Sequence, residues 1–288
     1  MAATVAPKRD LPRVALGVWA FVCIAFLLLP IVFVIAHSFN GGNSFSIWKE
    51  WGGFKWYHKI WDDKPFRNTL INSFKAAIGS TILSVVIGAL AGVAVVRRTG
   101  KWTKFFMGLL FLILVTPEII DGVALLGWFL KILQGPFING IFGIRGGMIS
   151  LWVSHSLFSS AVVTLIVRAR LQGLDESLEE AAADLGATPA RVFRQITLPL
   201  MAPALVAGAM LSLSFSLDNT IISSFIAGDS STFPVFLLGT VKSTPKPNVG
   251  AGAVVLFLTT LMAATATVII LKRSGQSSSE IASNLAAG

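Results

Sequence analysis

Charged residues are scarce in this chain. They make up 13% of its 288 residues, whereas hydrophobic residues make up 54%. A soluble domain carries about 25% charged residues, so the composition excludes an ordinary soluble domain and favours a protein embedded in a bilayer. The single cysteine, Cys23, excludes a disulfide within the chain, and we expect it to be a small apolar packing residue.

The sequence also lacks the motifs of a nucleotide-hydrolysing protein. A P-loop requires the pattern G-x4-G-K-[ST], in which backbone N–H groups cradle phosphate. The only Gly-Lys pair, Gly100-Lys101, is followed by Trp102, and Val95 stands where the first glycine should be. His, Cys and carboxylate residues show no metal-ligand spacing, and no catalytic set stands out. We therefore expect no catalytic residue, no metal and no cofactor bound by this chain itself.

Long apolar runs are abundant instead. A bilayer core of about 30 Å requires roughly 20 helical residues, and six runs reach that length. The first is too long for a signal-peptide core and has no small-residue cleavage site after it, so it is kept as a span. Residues 1–13 and 274–288 are expected to be tails, the second of them disordered. The predicted transmembrane helices are approximately Val14–Ala36, Phe74–Val96, Phe105–Leu133, Met148–Val167, Ala204–Ile226 and Gly250–Leu271.

The basic residues predict the orientation of these helices. Short loops rich in Lys and Arg remain on the cytoplasmic side, and the turn after the second span carries Arg97, Arg98, Lys101 and Lys104. Both termini and the loop between the fourth and fifth spans are then cytoplasmic. The net charge of +9 could suggest a nucleic-acid partner. Because the charges collect at span ends, however, we expect a lipid bilayer as the partner and no nucleic acid.

A polar loop between the fourth and fifth spans contains several residue types at fixed spacing, E-A-A-x3-G-x9-I-x-L-P. Asp175 is a plausible N-cap, and Gly186 suits the left-handed residue that ends a helix. Pro189 is expected to open a second helix, which Leu198-Pro199 would stop. On the residues alone, the two helices could pack on their own bundle or dock on a soluble partner. The fixed positions are filled by Glu180, Ala181, Ala182, Gly186, Ile196, Leu198 and Pro199.

Two of the predicted spans contain carboxylates. Glu118 and Asp121 follow Pro117, which is expected to disrupt the helix of the third span, and Asp218 lies in the fifth. A carboxylate at membrane depth costs roughly 2.5–3.5 kcal/mol on insertion scales, so these residues are expected to face a water-filled pathway. The alternative is that they lie near the outer interface, solvated or paired with a lysine or a partner subunit. The full set of candidate pathway residues is Glu118, Asp121, Ser216, Asp218 and Asn219.

A third polar feature is His155, which stands between Ser154 and Ser156 in the fourth span. A functional histidine there would need a partner of complementary chemistry, and the sequence offers none at a recognisable spacing. We expect a hydrogen-bonded packing histidine.

The loop pattern resembles the EAA loop of the membrane subunits of binding-protein-dependent ABC importers. The resemblance implies an all-α integral membrane protein with six transmembrane helices, a type I importer permease fold and cytoplasmic coupling helices that insert into an ATPase subunit. The implied partners are a second permease subunit of a different chain, two ABC ATPase subunits that bind ATP and Mg, and an extracytoplasmic solute-binding protein. The implied location is the bacterial plasma (inner) membrane.

Further segments are similar to spermidine/putrescine-type permeases. They are Phe54–Tyr57 with Asp62-Asp63 and Asn72–Phe74, Thr116–Ile120, and Ser216–Phe225. Asn219 departs from that pattern, because an acid is common there. The resemblance implies a small cationic solute, a polyamine, with a permease for another small solute as the alternative. A stand-alone channel or ion-driven carrier would need no docking loop, and a membrane-embedded enzyme would need a catalytic set.

Overall fold

The structure is a computed structural model that describes residues 11–43, 48–133, 147–243 and 247–273. The described residues are helical apart from short connections and one isolated β-bridge between Asn40 and Trp51. This confirms the all-α prediction. The predicted tails 1–13 and 274–288 lie almost wholly outside the described residues.

The structure describes twelve α-helices. The first half of the chain contains α1 (Leu11–His37), α2 (Lys55–Asp62), α3 (Lys64–Arg97), α4 (Lys101–Val115), α5 (Glu118–Leu133) and α6 (Met148–Gln172). The second half contains α7 (Ser177–Asp184), α8 (Pro189–Val192), α9 (Leu198–Asp218), α10 (Ile221–Ile226), α11 (Phe233–Ser243) and α12 (Pro247–Arg273). One π-helical turn, Phe193–Thr197, joins α8 directly to α9.

Within the described residues, five helical stretches are long and apolar enough to cross a membrane. They are Ala15–His37, Lys64–Arg97, Met148–Gln172, Pro189–Asp218 and Pro247–Ala266. Taken together as one span, α4 and α5 are a sixth such stretch, with a bend of 107° between them. The six stretches correspond to the six predicted spans, and the third is interrupted at Pro117, as predicted. The break arises because Pro117 has no N–H and forces Thr116 before it into an extended conformation, with φ −65° and ψ 128°.

The fifth span differs from its prediction. It ends at Asp218 rather than at Ile226, because Asn219 is extended, with φ −63° and ψ 106°. The short helix α10 follows, and the Asn219 Oδ1 atom accepts a hydrogen bond from the Ser223 backbone N–H at 3.3 Å. Apolar composition alone could not reveal this break, since α10 continues the hydrophobic run of α9. The short apolar helix α11 was not predicted either.

The helices α3 and α6 pack closely along their length, and small residues make this possible. Every fourth position of α3 along one stripe is small and buried: Ser80, Ser84, Gly88 and Gly92. A Cβ atom added to Gly88 would lie only 2.6 Å from the Val163 Cβ of α6. Close backbone approach at small residues is the usual basis of helix association in lipid. The contacts advance in the same direction on both helices, so α3 and α6 run parallel.

The helix α9 packs antiparallel to α6. The Arg170 Nε atom near the end of α6 donates to the Leu200 carbonyl near the start of α9 at 3.1 Å, and Val163 faces Gly208 further along. We call the end of the bundle where α3 and α6 finish and α7 to α9 begin the loop end. We call the opposite end, where α9 finishes and α3, α6, α11 and α12 begin, the far end.

The far end is closed by a cluster of aromatic residues. Trp56 of α2 is 2% exposed and packs with Phe66 of α3 and Phe233 of α11. Its indole N–H donates to the Asn40 carbonyl at 2.5 Å. By contrast, α1 lies at the periphery of the bundle, and Cys23 on it is exposed. Cys23 is therefore not the packing residue that the sequence suggested.

Candidate functional site

The first helix of the loop, α7, projects from the bundle. Every residue in it is exposed or half-buried. Leu178 is 49% exposed and Leu185, directly after the helix, is 90% exposed. Ala181 is exposed on the same helix, and Ala182 is half-buried. Small residues beside two exposed leucines form a surface that a partner could cover.

The start of α7 is fixed by Asp175. Its Oδ1 atom accepts a hydrogen bond from the Ser177 backbone N–H at 3.0 Å. This bond and a second one from the Ser177 side chain hold the pKa of Asp175 below its usual range. The helix begins at Ser177, one residue later than the predicted N-cap implied.

The end of α7 is a left-handed turn at Gly186, as predicted. Its φ is +83°, a conformation that residues with a Cβ rarely adopt. The Gly186 N–H donates to the Ala183 carbonyl at 2.8 Å, and the Ala187 N–H donates to the Ala182 carbonyl at 3.0 Å. These two bonds form a Schellman motif, which satisfies carbonyls at the helix end. The motif sets the angle at which the chain leaves α7.

The second helix of the loop does not stop at Leu198-Pro199, which corrects the prediction. Pro189 opens it after an extended Thr188, as expected, and the chain then continues through the π-helical turn into α9. The Leu198 N–H donates to the Phe193 carbonyl five residues back. Pro199 has no N–H to donate to the preceding turn, and the π-helical turn lies where that bond is missing. The wider turn thus lets one continuous helix carry the loop into the membrane span.

A polar contact that the sequence did not reveal joins α7 to the bundle. The Arg97 Nη2 atom, at the end of α3, lies 2.9 Å from Oε1 and 2.8 Å from Oε2 of Glu179. The Thr197 hydroxyl, in the π-helical turn, donates to Glu179 Oε1 at 2.5 Å. Arg97 and Glu179 are 82 residues apart, so no local pattern could have paired them.

A cavity of about 350 Å³ lies beside this contact. Glu180 and Ile196, two residues of the loop pattern, line it together with Arg97 and Glu179. The cavity lies between α7 and the ends of α3, α6 and α9. Glu180 and Ile196 border it, whereas the next residue of α7, Ala181, does not.

At the far end, the two helix breaks meet. The helix α5 packs on α10, and a Cβ atom added to Gly122 would lie 2.7 Å from the Phe225 ring. This packing brings Glu118 within electrostatic range of both Asp218 and Asp121. We call these three residues the acidic cleft. Glu118 and Asp218 are exposed, and Asp121 is half-buried.

Asp218 also borders an apolar cavity of about 280 Å³. Phe233, Phe257 and Thr260 form part of its wall. Among the residues that the structure describes, the acids are not close enough to form a metal-binding group with His, Cys or other carboxylates. The acidic cleft is an acidic surface next to the apolar wall of this cavity.

Ser216 is placed differently from the other candidate pathway residues. It is 4% exposed, and its hydroxyl lies 2.7 Å from the Nδ1 atom of His155. His155 is 3% exposed, and its Nε2 atom lies 3.0 Å from the Ser223 hydroxyl. The expectation of a hydrogen-bonded packing histidine is confirmed. Ser216 supports the wall behind Asp218 and does not line its accessible face.

Comparison with known proteins gives consistent results. Residues 84–276 match the family described as "Binding-protein-dependent transport system inner membrane component". The chain is 34% identical to the spermidine/putrescine transport system permease protein PotC of Escherichia coli, over 86% of this chain and 90% of that protein. It is 31% identical to the PotC protein of Haemophilus influenzae, over 88% and 95%. It is 33% identical to the putrescine transport system permease protein PotI of Escherichia coli, over 80% and 81%.

Solved structures resemble the fold at lower identity. A bacterial ABC transporter involved in the import of the acidic polysaccharide alginate superposes with a TM-score of 0.70 at 14% identity, over 92% of this chain and 96% of that chain. The MetNI methionine ABC transporter in an inward-facing conformation superposes with a TM-score of 0.58 at 20% identity, over 74% and 99%. These similarities concern the fold alone, which is that of ABC importer permeases.

Proposed function

Since the chain belongs to the family of binding-protein-dependent transport system inner membrane components and is a permease subunit of an ABC importer, we propose that the solute it translocates is a polyamine such as spermidine or putrescine. The acidic cleft carries the proposal. Three carboxylates lie where two transmembrane helices are broken, Glu118 and Asp121 at the start of α5 and Asp218 at the end of α9. Their negative charge would attract a cation that passes these breaks. The names of the polyamine permeases similar to this chain support the same solute.

The surroundings of the cleft suit the chemistry of a polyamine. Such a molecule alternates strongly hydrated ammonium groups with apolar methylene segments. Asp218 offers a carboxylate for the first, and the ring of Phe257 in the adjoining cavity offers an apolar wall for the second. A few separated acids compensate for lost hydration without binding so tightly that release is prevented.

The loop of α7 and α8 would couple transport to ATP hydrolysis by docking on an ATPase subunit. The exposure of Leu178 and Leu185 supports this role, because they project into solvent from a helix held above a cavity. The functional assembly would contain this chain, a second and different permease, two ATPase subunits that carry ATP and Mg, and an extracytoplasmic binding protein. This chain would contribute no ATPase site.

The loop end of the bundle would face the cytoplasm across a bacterial inner membrane, with both termini on that side. The cluster of Arg97, Arg98, Lys101 and Lys104 lies at this end, next to α7. Lys and Arg in short loops favour the cytoplasmic face, and the docking loop must face the compartment that contains ATP. Both considerations give the same orientation.

Reconstitution tests the proposal. The chain would be purified with its partner permease and ATPase subunits and inserted into vesicles, with the binding protein on the side opposite the ATPase. We expect ATP-dependent uptake of labelled spermidine or putrescine that ceases when either the ATPase or the binding protein is omitted. Uptake of only a neutral or anionic solute would contradict the polyamine assignment and leave the importer intact. Uptake without any ATPase would instead favour a stand-alone channel or carrier.

A further inference from the structure

Arg97, Glu179 and Thr197 connect three separate elements of the chain, and we call them the Glu179 joint. Arg97 is the last residue of α3, Glu179 lies in the first turn of α7, and Thr197 closes the π-helical turn before α9. Both oxygens of the Glu179 carboxylate are bonded to Arg97 Nη2, at 2.8 Å and 2.9 Å. Arg97 Nη2 also lies 3.3 Å from the Thr197 hydroxyl. Each member therefore contacts the other two.

On one side of the joint, α7 is loosely packed. All its residues are exposed or half-buried, and the cavity of about 350 Å³ lies between it and the helix ends below. A helix seated above a cavity can change its position without disrupting a hydrophobic core. A shift of α7 would then be passed to the bundle through the hydrogen bonds of Glu179.

On the other side of the joint, the bundle is tightly packed. Thr197 is fully buried, and Phe193 in the same turn packs against the core cluster of Val163, Val167 and Met201. Arg97 continues α3, which is held to α6 by close contacts such as that of Gly92 with Val167. Packed helices of this kind move as units. A displacement of Glu179 therefore acts on α3 and on α9 together.

The helix α9 then leads to the acidic cleft. It runs from Leu198, next to the joint, to Asp218 at the far end, a distance of about 30 Å for its 21 residues. A π-helical turn such as Phe193–Thr197 is frequently found at functional sites, and here it carries the residue that bonds Glu179. The helix α9 thus has the Glu179 joint at one end and the carboxylate of Asp218 at the other.

We propose that the Glu179 joint transmits movement of the docking helix α7 to the transmembrane helices α3 and α9. The inference rests on the proposed docking of the loop and adds the positioning residues that link it to the pathway. Neither Arg97 nor Thr197 belongs to the loop pattern. The side chains of Arg97 and Glu179 are partly exposed, by 44% and 33%, so we expect their replacement to leave the fold intact and to change the linkage.

The experiment compares ATP consumption with solute uptake in the reconstituted complex. The variants are Arg97→Met, Glu179→Gln and Thr197→Val, with Arg98→Gln and Glu176→Gln as matched controls that remove an exposed neighbouring charge. We expect Arg97→Met and Glu179→Gln to keep assembly and binding-protein-stimulated hydrolysis, while the uptake per ATP consumed falls about three- to five-fold, as loss of a partly exposed ion pair allows. The controls should keep the wild-type ratio. The double exchange Arg97→Glu with Glu179→Arg should restore part of the lost uptake.

Two results would contradict the proposed role of the Glu179 joint. One is a wild-type ratio of uptake to hydrolysis in both single variants. The other is an equal fall of both rates that the charge exchange does not restore, which would make the contact a simple contribution to assembly. A wild-type complex that neither hydrolyses ATP nor takes up solute would contradict the proposed function, and the joint with it.

Discussion

His155 and Ser216 form a buried hydrogen bond of 2.7 Å between the imidazole Nδ1 atom and the serine hydroxyl. The other ring nitrogen of His155 lies 3.0 Å from the Ser223 hydroxyl of α10. The imidazole of α6 therefore spans the break between α9 and α10, with one nitrogen donating and the other accepting. Asp218 lies at that break, so the geometry of the acidic cleft depends on a residue of the neighbouring helix α6.

Replacing His155 with leucine should destabilise this region. The hydroxyls of Ser216 and Ser223 would lose their partner in a buried site, which costs about 1–3 kcal/mol for each unsatisfied group. We expect a lower unfolding temperature of the solubilised complex and reduced uptake. His58 is exposed on α2, so His58→Leu provides the control. Equal unfolding temperatures for the two variants would show that the bridge contributes nothing.

A β-branched residue at Gly186 should impair coupling. At φ +83°, a residue with a Cβ incurs roughly 1–2 kcal/mol of strain, so Gly186→Val should unwind the Schellman motif and misplace α8. Uptake should fall while membrane insertion is unchanged. Gly186→Asn should retain more activity, because asparagine tolerates the left-handed region.

Gly173 supplies the control for that variant. It lies in the same loop at φ −94°, so Gly173→Ala should transport normally. Normal uptake and normal ATPase assembly in Gly186→Val would mean that the turn has no role in coupling.

A methyl group at Gly88 should weaken the packing of α3 on α6. It would meet the Val163 Cβ at 2.6 Å, and overpacking of this kind costs about 1–3 kcal/mol. Gly108 of α4 has open space around its Cα, so Gly108→Ala should be tolerated. The comparison is read from thermal unfolding of the two purified variants, and a Gly88→Ala protein as stable as Gly108→Ala would contradict the close approach.

The parts of the fold that could be predicted are those set by residues close together in the sequence. Hydrophobic runs locate spans because bilayer thickness sets their length. Gly186 could be assigned to a left-handed turn because a glycine directly after an apolar helical face is the usual residue at a helix end. Pro117 likewise indicated a disrupted helix, although its bend of 107° depends on the packing of α5 against α10.

Features of the fold that depend on contacts between residues distant in sequence could not be predicted. The contact of Arg97 with Glu179 joins residues 82 positions apart, and a single sequence carries no signal for such a pair. The end of α9 at Asp218 was missed because α10 is as apolar as the helix before it. Among the candidate pathway residues, only the fold distinguishes buried Ser216 from exposed Asp218.

Cysteine labelling should establish the orientation. In a Cys23→Ala background, which removes the exposed native thiol, cysteines replacing Lys101 and Ala190 should be shielded from impermeant reagents in intact cells. A cysteine replacing Asn43 should be labelled, because it lies beyond the far end of α1. Labelling of the Ala190 site from outside would reverse the orientation and contradict docking on a cytoplasmic ATPase.

Removing charge from the acidic cleft should reduce polyamine uptake. Asp218→Asn keeps the size of the side chain and one acceptor oxygen, replaces the other oxygen with an NH2 donor and removes the negative charge, so it tests the electrostatic contribution to passage of a cation. If the carboxylate makes a charge-assisted contact with an ammonium group, its loss removes about 1.5–3 kcal/mol, which corresponds to a decrease of roughly ten-fold or more in uptake. Assembly with the ATPase and docking of the binding protein should persist, as measured by copurification.

The Glu118→Gln variant separates the acids from one another. Glu118 begins α5, which packs on the helix that follows Asp218, so we expect the effects of the two substitutions not to add if both carboxylates contact the same solute. A double variant measured beside both single variants gives the coupling between them directly. Ser214 lies on α9, the helix that ends at Asp218, and is half-buried. Ser214→Ala therefore controls for general perturbation of α9. Unchanged polyamine uptake in the double variant would show that the carboxylates are structural, and the cation selectivity would then have to arise from other residues of the pathway or from the binding protein.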